Sequence, residues 1–237
     1  MVVPIHLAER RPGRALPGIV AALILQFTSA CSSTDPGYFP LGDKHLWTYR
    51  VQRTIKGEER RQKFVVASMS PAIVDGATFF PLQRLDGRIE LYEKSAGGIY
   101  RVDGARRARA HILPERFEPG VKWRSDSRIL FLEVTGAFSP TFQERVSSNI
   151  TLDFVIEAVD DPAEVPAGRF TGCLRVKGSG SMFAGSTLES FMGIRFIKVE
   201  QTEWYAPGVG LVKRVRNEYT TPAEWSNAYI EELESVR

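Results

Sequence analysis

Between positions 149 and 159 the chain reads "NITLDFVIEAV". Ile150, Leu152, Phe154, Ile156 and Ala158 occupy every second position, with Thr151, Asp153 and Glu157 between them. A strand points successive side chains to opposite faces, whereas a helix repeats every 3.6 residues. A period of two held this long commits the segment to a strand with one face in a core and the other in water. "HLWTYRVQR" repeats the pattern, with Trp47, Tyr49 and Val51 opposite Thr48, Arg50 and Gln52. "RIELYEKS", "IYRV", "RILFLEV", "RFTGCLRVK", "GIRFIKVEQTEWY" and "GLVKRVRNEY" are rich in strand formers. No segment before residue 220 shows a convincing helical period. Asp86-Gly87, Gly97-Gly98 and Asp103-Gly104 suit tight hairpins. The connections are too short for crossover helices, so the pairing is expected to be antiparallel.

The tail reads two ways. Thr221-Pro222-Ala223-Glu224 is a sound helix start, and Trp225, Tyr229 and Leu233 recur every four residues. "NAYIEELESV" equally suits a last strand. The reading adopted is a short turn or helix near 222–226 followed by a strand. An internal echo also stands out. Pro40 precedes Trp47, and Pro114 precedes Trp123, each through a short loop. It points either to two halves of one large sheet, broken near 110–114, or to coincidence.

The first thirty residues are of another kind. Arg10, Arg11 and Arg14 precede an apolar run from Ala15 to Phe27, too short for a bilayer-spanning helix. Thr28-Ser29-Ala30 then leads into Cys31. Basic residues, an oily run and small residues make a secretion signal. The order resembles a bacterial lipoprotein signal, in which Cys31 becomes the first mature residue and carries a diacylglyceryl group. Thr28 departs from the leucine usual in such boxes. The resemblance implies outer-membrane sorting, because Ser32 rather than Asp follows the cysteine. Ordinary secretion to the periplasm is the alternative, and it permits a Cys31–Cys173 disulfide, since the chain has 2 cysteines. An apolar structural segment is the third reading. The expected organisation is a signal peptide over 1–30, a lipidated tether over 31–37 and one β-rich domain over 38–237. A tether from Ser32 to Gly37 reaches about 20 Å, which holds the domain against the membrane.

The composition excludes some classes. The net charge of +3 falls to +1 when the leader is removed, so no nucleic-acid partner is expected. Beyond the leader there are only His45 and His111, far apart and without acidic or cysteine neighbours at ligand spacing, so no metal or cofactor is expected. The serines of "GSGSMFAGS" do not fit a nucleophile elbow and read as a flexible loop. Cys173 falls by parity with Arg175 and Lys177, opposite Leu174 and Val176. Positive neighbours there would lower its pKa, but the reading adopted is a plain half-buried strand cysteine. "RVDGARRARAH" clusters Arg101, Arg106, Arg107 and Arg109 at a hairpin tip, either a solvated face or a contact for anionic lipid phosphates.

Three phrases, "YFPLGDKHLWTYRV", "EVPAGRFTGCLRV" and "EWYAPGVGLVKRV", occur in this order. Together they resemble a poorly characterised group of bacterial secreted or lipid-anchored proteins of the DUF3108-like or TapB-like kind. The resemblance implies a large curved antiparallel sheet, half-barrel-like and loosely similar to lipoprotein carriers, with no catalytic residues to carry over. "GDKHLW" departs from the pattern, which has a glycine just before the tryptophan strand. As structure, Pro166 and Gly168 mark one turn and Pro207-Gly208 a type II turn, with Gly210 at a bulge or close approach.

The expectation is therefore an all-β, non-enzymatic outer-membrane lipoprotein facing the periplasm. It would bind an apolar ligand or envelope component through Trp47, Phe154, Phe196 and Trp204. The alternatives are an assembly accessory for another envelope protein, and a hydrolase or thiol enzyme built on Ser179–Ser186 or Cys173.

Overall fold

The computed structural model describes residues 37–42, 44–102, 108–134 and 149–237. The leader, most of the tether, Arg106 and Arg107 lie outside the described residues.

The alternation read in "HLWTYRVQR" becomes β1 (Leu46–Ile55), with Trp47, Tyr49, Val51, Arg53 and Ile55 on the buried face. Lys56 and Gly57, both at positive φ, turn the chain into β2 (Glu58–Ser68). Then follow β3 (Ala72–Val74), β4 (Ala77–Arg84), β5 (Ile89–Ser95), β6 (Gly98–Val102) and β7 (Arg109–Pro114). The second run comprises β8 (Lys122–Arg128), β9 (Asn149–Val165), β10 (Gly168–Phe183), β11 (Phe196–Ala206), β12 (Gly210–Thr221) and β13 (Asn227–Val236). Every pairing is antiparallel.

The strands form one barrel-like sheet in the order β7-β6-β5-β4-β2-β1-β13-β12-β11-β10-β9-β8, with β3 paired to β4 off this path. The protein is thus all-β, and its sheet is two meanders joined where β1 meets β13. One meander runs outward from β1 to β7, the other inward from β8 to β13. The break between them follows Pro114. There the two sheet edges approach without a ladder, and the Trp123 indole donates to the His111 carbonyl at 3.1 Å. Trp47 and Trp123 both sit second in their strands, buried, and each indole donates to a backbone carbonyl; that of Trp47 reaches Val209 at 2.7 Å.

Several local expectations are corrected. "RILFLEV" is not a strand: β8 stops at Arg128, and Leu130–Val134 forms a helical turn, α1. Its amides explain why, because Leu130 and Phe131 N–H both donate to the Glu218 carboxylate at 2.8 Å. A second helix, α2 (Ser186–Met192), precedes residue 220 and ends at Gly193 with φ +68°. Seven residues are too few to show a helical period. The "GSGSMFAGS" loop is strand up to Phe183. Its glycines serve packing: a Cβ on Gly178 would lie 2.5 Å from the Phe154 ring, and one on Gly180 would meet the Thr151 carbonyl. The tail is a single 3-10 turn, Ala223–Trp225, and then β13.

Parity fails at Cys173. The β9–β10 register shifts repeatedly between Phe170 and Val176. This bulge turns Cys173 into a cluster with Ala163, Val165, Ala206, Val212 and Leu233, away from solvent.

Candidate functional site

The three phrases that carry the family resemblance meet at one end of the sheet. Gly208 N–H donates to the Gly37 carbonyl at 3.1 Å. The Tyr38 hydroxyl donates to the Gly172 carbonyl at 3.0 Å, and that of Tyr49 to the Leu211 carbonyl at 2.9 Å. Gly208 takes φ +70°, and Val209 N–H closes the turn onto the Ala206 carbonyl at 3.1 Å, as the type II reading requires. At Gly210, φ +93°, an added Cβ would lie 3.2 Å from Pro40. Pro40 is thus laid directly on the backbone.

Beneath this end lies a cavity of about 510 Å³, within the range of small-molecule sites. Phe39, Pro40, Trp47, Tyr49, Phe64 and Phe154 give it apolar wall. Most of the remaining lining is charged or hydroxylic, which the alternation explains: interior positions of β11, β12 and β13 carry Gln201, Glu203, Arg214, Arg216, Tyr229 and Glu231.

These polar groups pair across strands. Arg214 stands directly between Glu203 on β11 and Glu231 on β13. Its Nε donates to Glu203 at 2.6 Å and its Nη1 to Glu231 at 2.8 Å. Burial disfavours its charge, but the two carboxylates more than offset this and raise its pKa well above the usual value. The Tyr205 hydroxyl donates to Glu203 at 2.8 Å and that of Tyr229 to Glu231 at 3.0 Å. Burial, then the adjacent carboxylates, pushes both phenols above their ordinary range.

Arg216 is 2% exposed and Glu218 0%. The guanidinium donates to Glu218, Gln201, Ser127 and the Arg128 carbonyl at 2.7–2.8 Å. Glu218 also accepts Asn227 Nδ2 at 3.1 Å besides the two α1 amides. The pair therefore ties α1, which follows the edge strand β8, to the middle of the sheet.

On the other wall Glu90 accepts the Tyr92 hydroxyl at 2.9 Å, with Arg101 and Arg128 each at 3.9 Å. Burial pushes this carboxyl up, but Arg101, Tyr92, Arg128 and Arg84 together hold it below the usual carboxylate range. Arg53, 9% exposed, lies over the Tyr229 ring at 5.2 Å.

Of the four aromatics expected to bind ligand, Trp47 and Phe154 line the cavity. Phe196 and Trp204 do not join them. In β11 Ile197, Val199, Gln201, Glu203 and Tyr205 are buried at alternate positions, so the strand turns Phe196 and Trp204 to its other face. There Trp204 Nε1 donates to Asp161 at 2.8 Å and Phe196 packs edge-on against Phe183. Of the arginine cluster, Arg101 turns into the cavity, whereas Arg109 bonds Ser95 at 2.5 Å and covers the Tyr100 ring at 4.1 Å.

The cavity wall includes His111 but neither Cys173 nor residues 179–186. His111 Nε2 lies 3.1 Å from the Gly97 carbonyl and 3.0 Å from that of Leu113. Cys173 is 0% exposed, and burial, reinforced by Asp161 and Asp160, pushes its thiol up to about 11 rather than down. The polar interior is absent from the sequence-based expectations, which rest on aromatic residues. The signal was present in β12, where Arg214, Arg216 and Glu218 sit at alternate positions.

No protein-family model matches the chain, and no curated protein matches it either. Two solved structures are similar in fold outline. One is a protein assigned as exported, with a YmcC-like fold, from Bacteroides fragilis NCTC 9343, at 14% identity and TM-score 0.41, covering 84% of this chain and 98% of that one. The other is assigned as a lipoprotein of Parabacteroides distasonis ATCC 8503, at 13% identity and TM-score 0.40 with the same coverage, 84% and 98%.

Proposed function

We propose that this chain is a non-enzymatic binding protein of the bacterial envelope, anchored in the outer membrane through a lipid on Cys31 and facing the periplasm. Its barrel-like sheet carries a ligand in the cavity. The supporting observation is the cavity itself: about 510 Å³ behind walls whose hydrogen bonds run across three strands, β11, β12 and β13. A ligand with both an apolar and a polar part suits such a wall better than the purely apolar one expected from the aromatics. The leader supports the address. The tether ends at Gly37, and Phe39 and Pro40 already line the cavity, so a lipid on Cys31 would hold the site near the membrane. Multiple acyl chains make that anchoring effectively permanent.

Binding another envelope protein through a strand edge is the weaker reading. β2 meets β4 only at Val66–Ser68, which leaves its earlier half open on that side. That half carries Glu58, Glu59, Arg60, Arg61 and Lys63, and charges of this kind protect an edge from pairing.

Native mass spectrometry of protein extracted from its own envelope tests the reading. A co-purifying small molecule is expected. Only the bare chain mass, together with a reproducible crosslinked protein partner, would reverse it. Radiolabelled palmitate should enter the protein and be lost in Cys31→Ala.

A further inference from the structure

The interior arginines are not equal. Arg214 holds two carboxylates, Arg216 holds Glu218, Arg101 and Arg128 share Glu90, and Arg84 stands 3.4 Å from Asp86. Arg53 differs. It is 9% exposed, lines the cavity, and its Nε is buried without a partner. Among the described residues no hydrogen bond or ion pair reaches its guanidinium; its one polar contact is the Tyr229 face.

Its cross-strand neighbours do not supply the missing charge. Arg53 stands between Tyr229 on β13 and Arg60 on β2. The Tyr229 hydroxyl is spent on Glu231, and the same Glu231 oxygen already accepts from Arg214. An arginine withdrawn from water without a carboxylate is costly. Its planar fork of donors matches a carboxylate or phosphate. Toward the strand's start the same face of β1 carries Tyr49 and Trp47, about 20 Å away at the far end. One cationic end and one aromatic end describe a site for an amphiphile.

We propose that Arg53 is the anion anchor of the cavity, pairing with the oxyanion headgroup of an amphiphilic ligand whose apolar part runs toward Trp47. This rests on the cavity reading given above.

The test is isothermal titration of the mature protein with hexyl phosphate, hexanoate, hexanol and inorganic phosphate. Hexyl phosphate should bind about tenfold or more tightly than hexanol, and Arg53→Gln should remove that advantage while leaving hexanol unchanged. Arg53→Lys, which keeps the charge, should retain part of it; matching melting curves verify folding. Inorganic phosphate binding as tightly as hexyl phosphate would identify a free oxyanion as the ligand, and weaker binding an anionic headgroup; hexanoate reports whether a carboxylate serves. If hexanol binds as tightly as hexyl phosphate, or Arg53→Gln changes nothing, the anchor is overturned and the cavity reading stands. If none of the probes binds, both fall.

Discussion

Trp123 and His111 join edges of the sheet that no backbone ladder connects: the indole N–H of one meets the carbonyl oxygen of the other at 3.1 Å. The Trp123 ring also stacks on Phe154 at 5.3 Å, and His111 on Tyr100 at 4.6 Å. The first prediction follows from that contact. Trp123→Phe keeps most of the packing but strands the carbonyl, at a cost of about 1–2 kcal/mol. Urea denaturation measures the loss. Amide exchange should accelerate in β7 and β8 and stay unchanged in β12, and a uniform acceleration would contradict the seam.

The same seam is sensitive to acid. Burial lowers the His111 pKa below its ordinary value, with Arg109 adding to the effect against the Gly97 and Leu113 carbonyls. A depressed histidine contributes stability above the unfolded value, about 6.5. That contribution is lost as pH falls through the lower folded value. Stability measured between pH 7 and 5 should fall more steeply for the native chain than for His111→Gln.

The interior phenols give the opposite pH window. Burial raises the pKa of Tyr49, Tyr92, Tyr205 and Tyr229 above the ordinary value. Their contribution is complete below about pH 10, the unfolded value. It is lost as pH rises, because the unfolded chain ionises first. In an ultraviolet titration these four interior rings should ionise only with unfolding.

Arg216 and Glu218 are a buried pair with every partner on the sheet or α1. Arg216→Met leaves the carboxylate behind and should cost about 3–5 kcal/mol. Arg216→Met combined with Glu218→Leu removes both charges and should recover part of it. Chemical denaturation of the two variants decides: equal losses would mean that the pair is not coupled.

Cys173 should be inert. A thiol at about 11 holds about a hundredfold less thiolate than one at its ordinary value, before burial is counted. Iodoacetamide at pH 8 should leave the folded protein unmodified and label Cys173 once urea is added. Rapid labelling of the folded chain would revive a thiol chemistry.

How far the sequence could be read depends on which physical signal each element left. The first half of β9, and β1 as far as Val51, alternate cleanly because their inner faces are apolar there, and both were legible. Cys173 was not, since a bulge inverts parity without changing composition. The helical turns at Leu130–Val134 and Ser186–Met192 are shorter than two full periods. The candidate site was legible only in part. Trp47 and Phe154 were found as aromatics, but Arg53, Arg214 and Glu231 look like solvated positions in a strand until the sheet curls and places them inside.

β13 pairs with β1 on one side and β12 on the other. Until its ten residues emerge, each meander ends in a bare edge and the cavity has no shared wall. The molecule therefore cannot complete itself from the front during synthesis. It stays an open pair of ribbons until its keystone arrives.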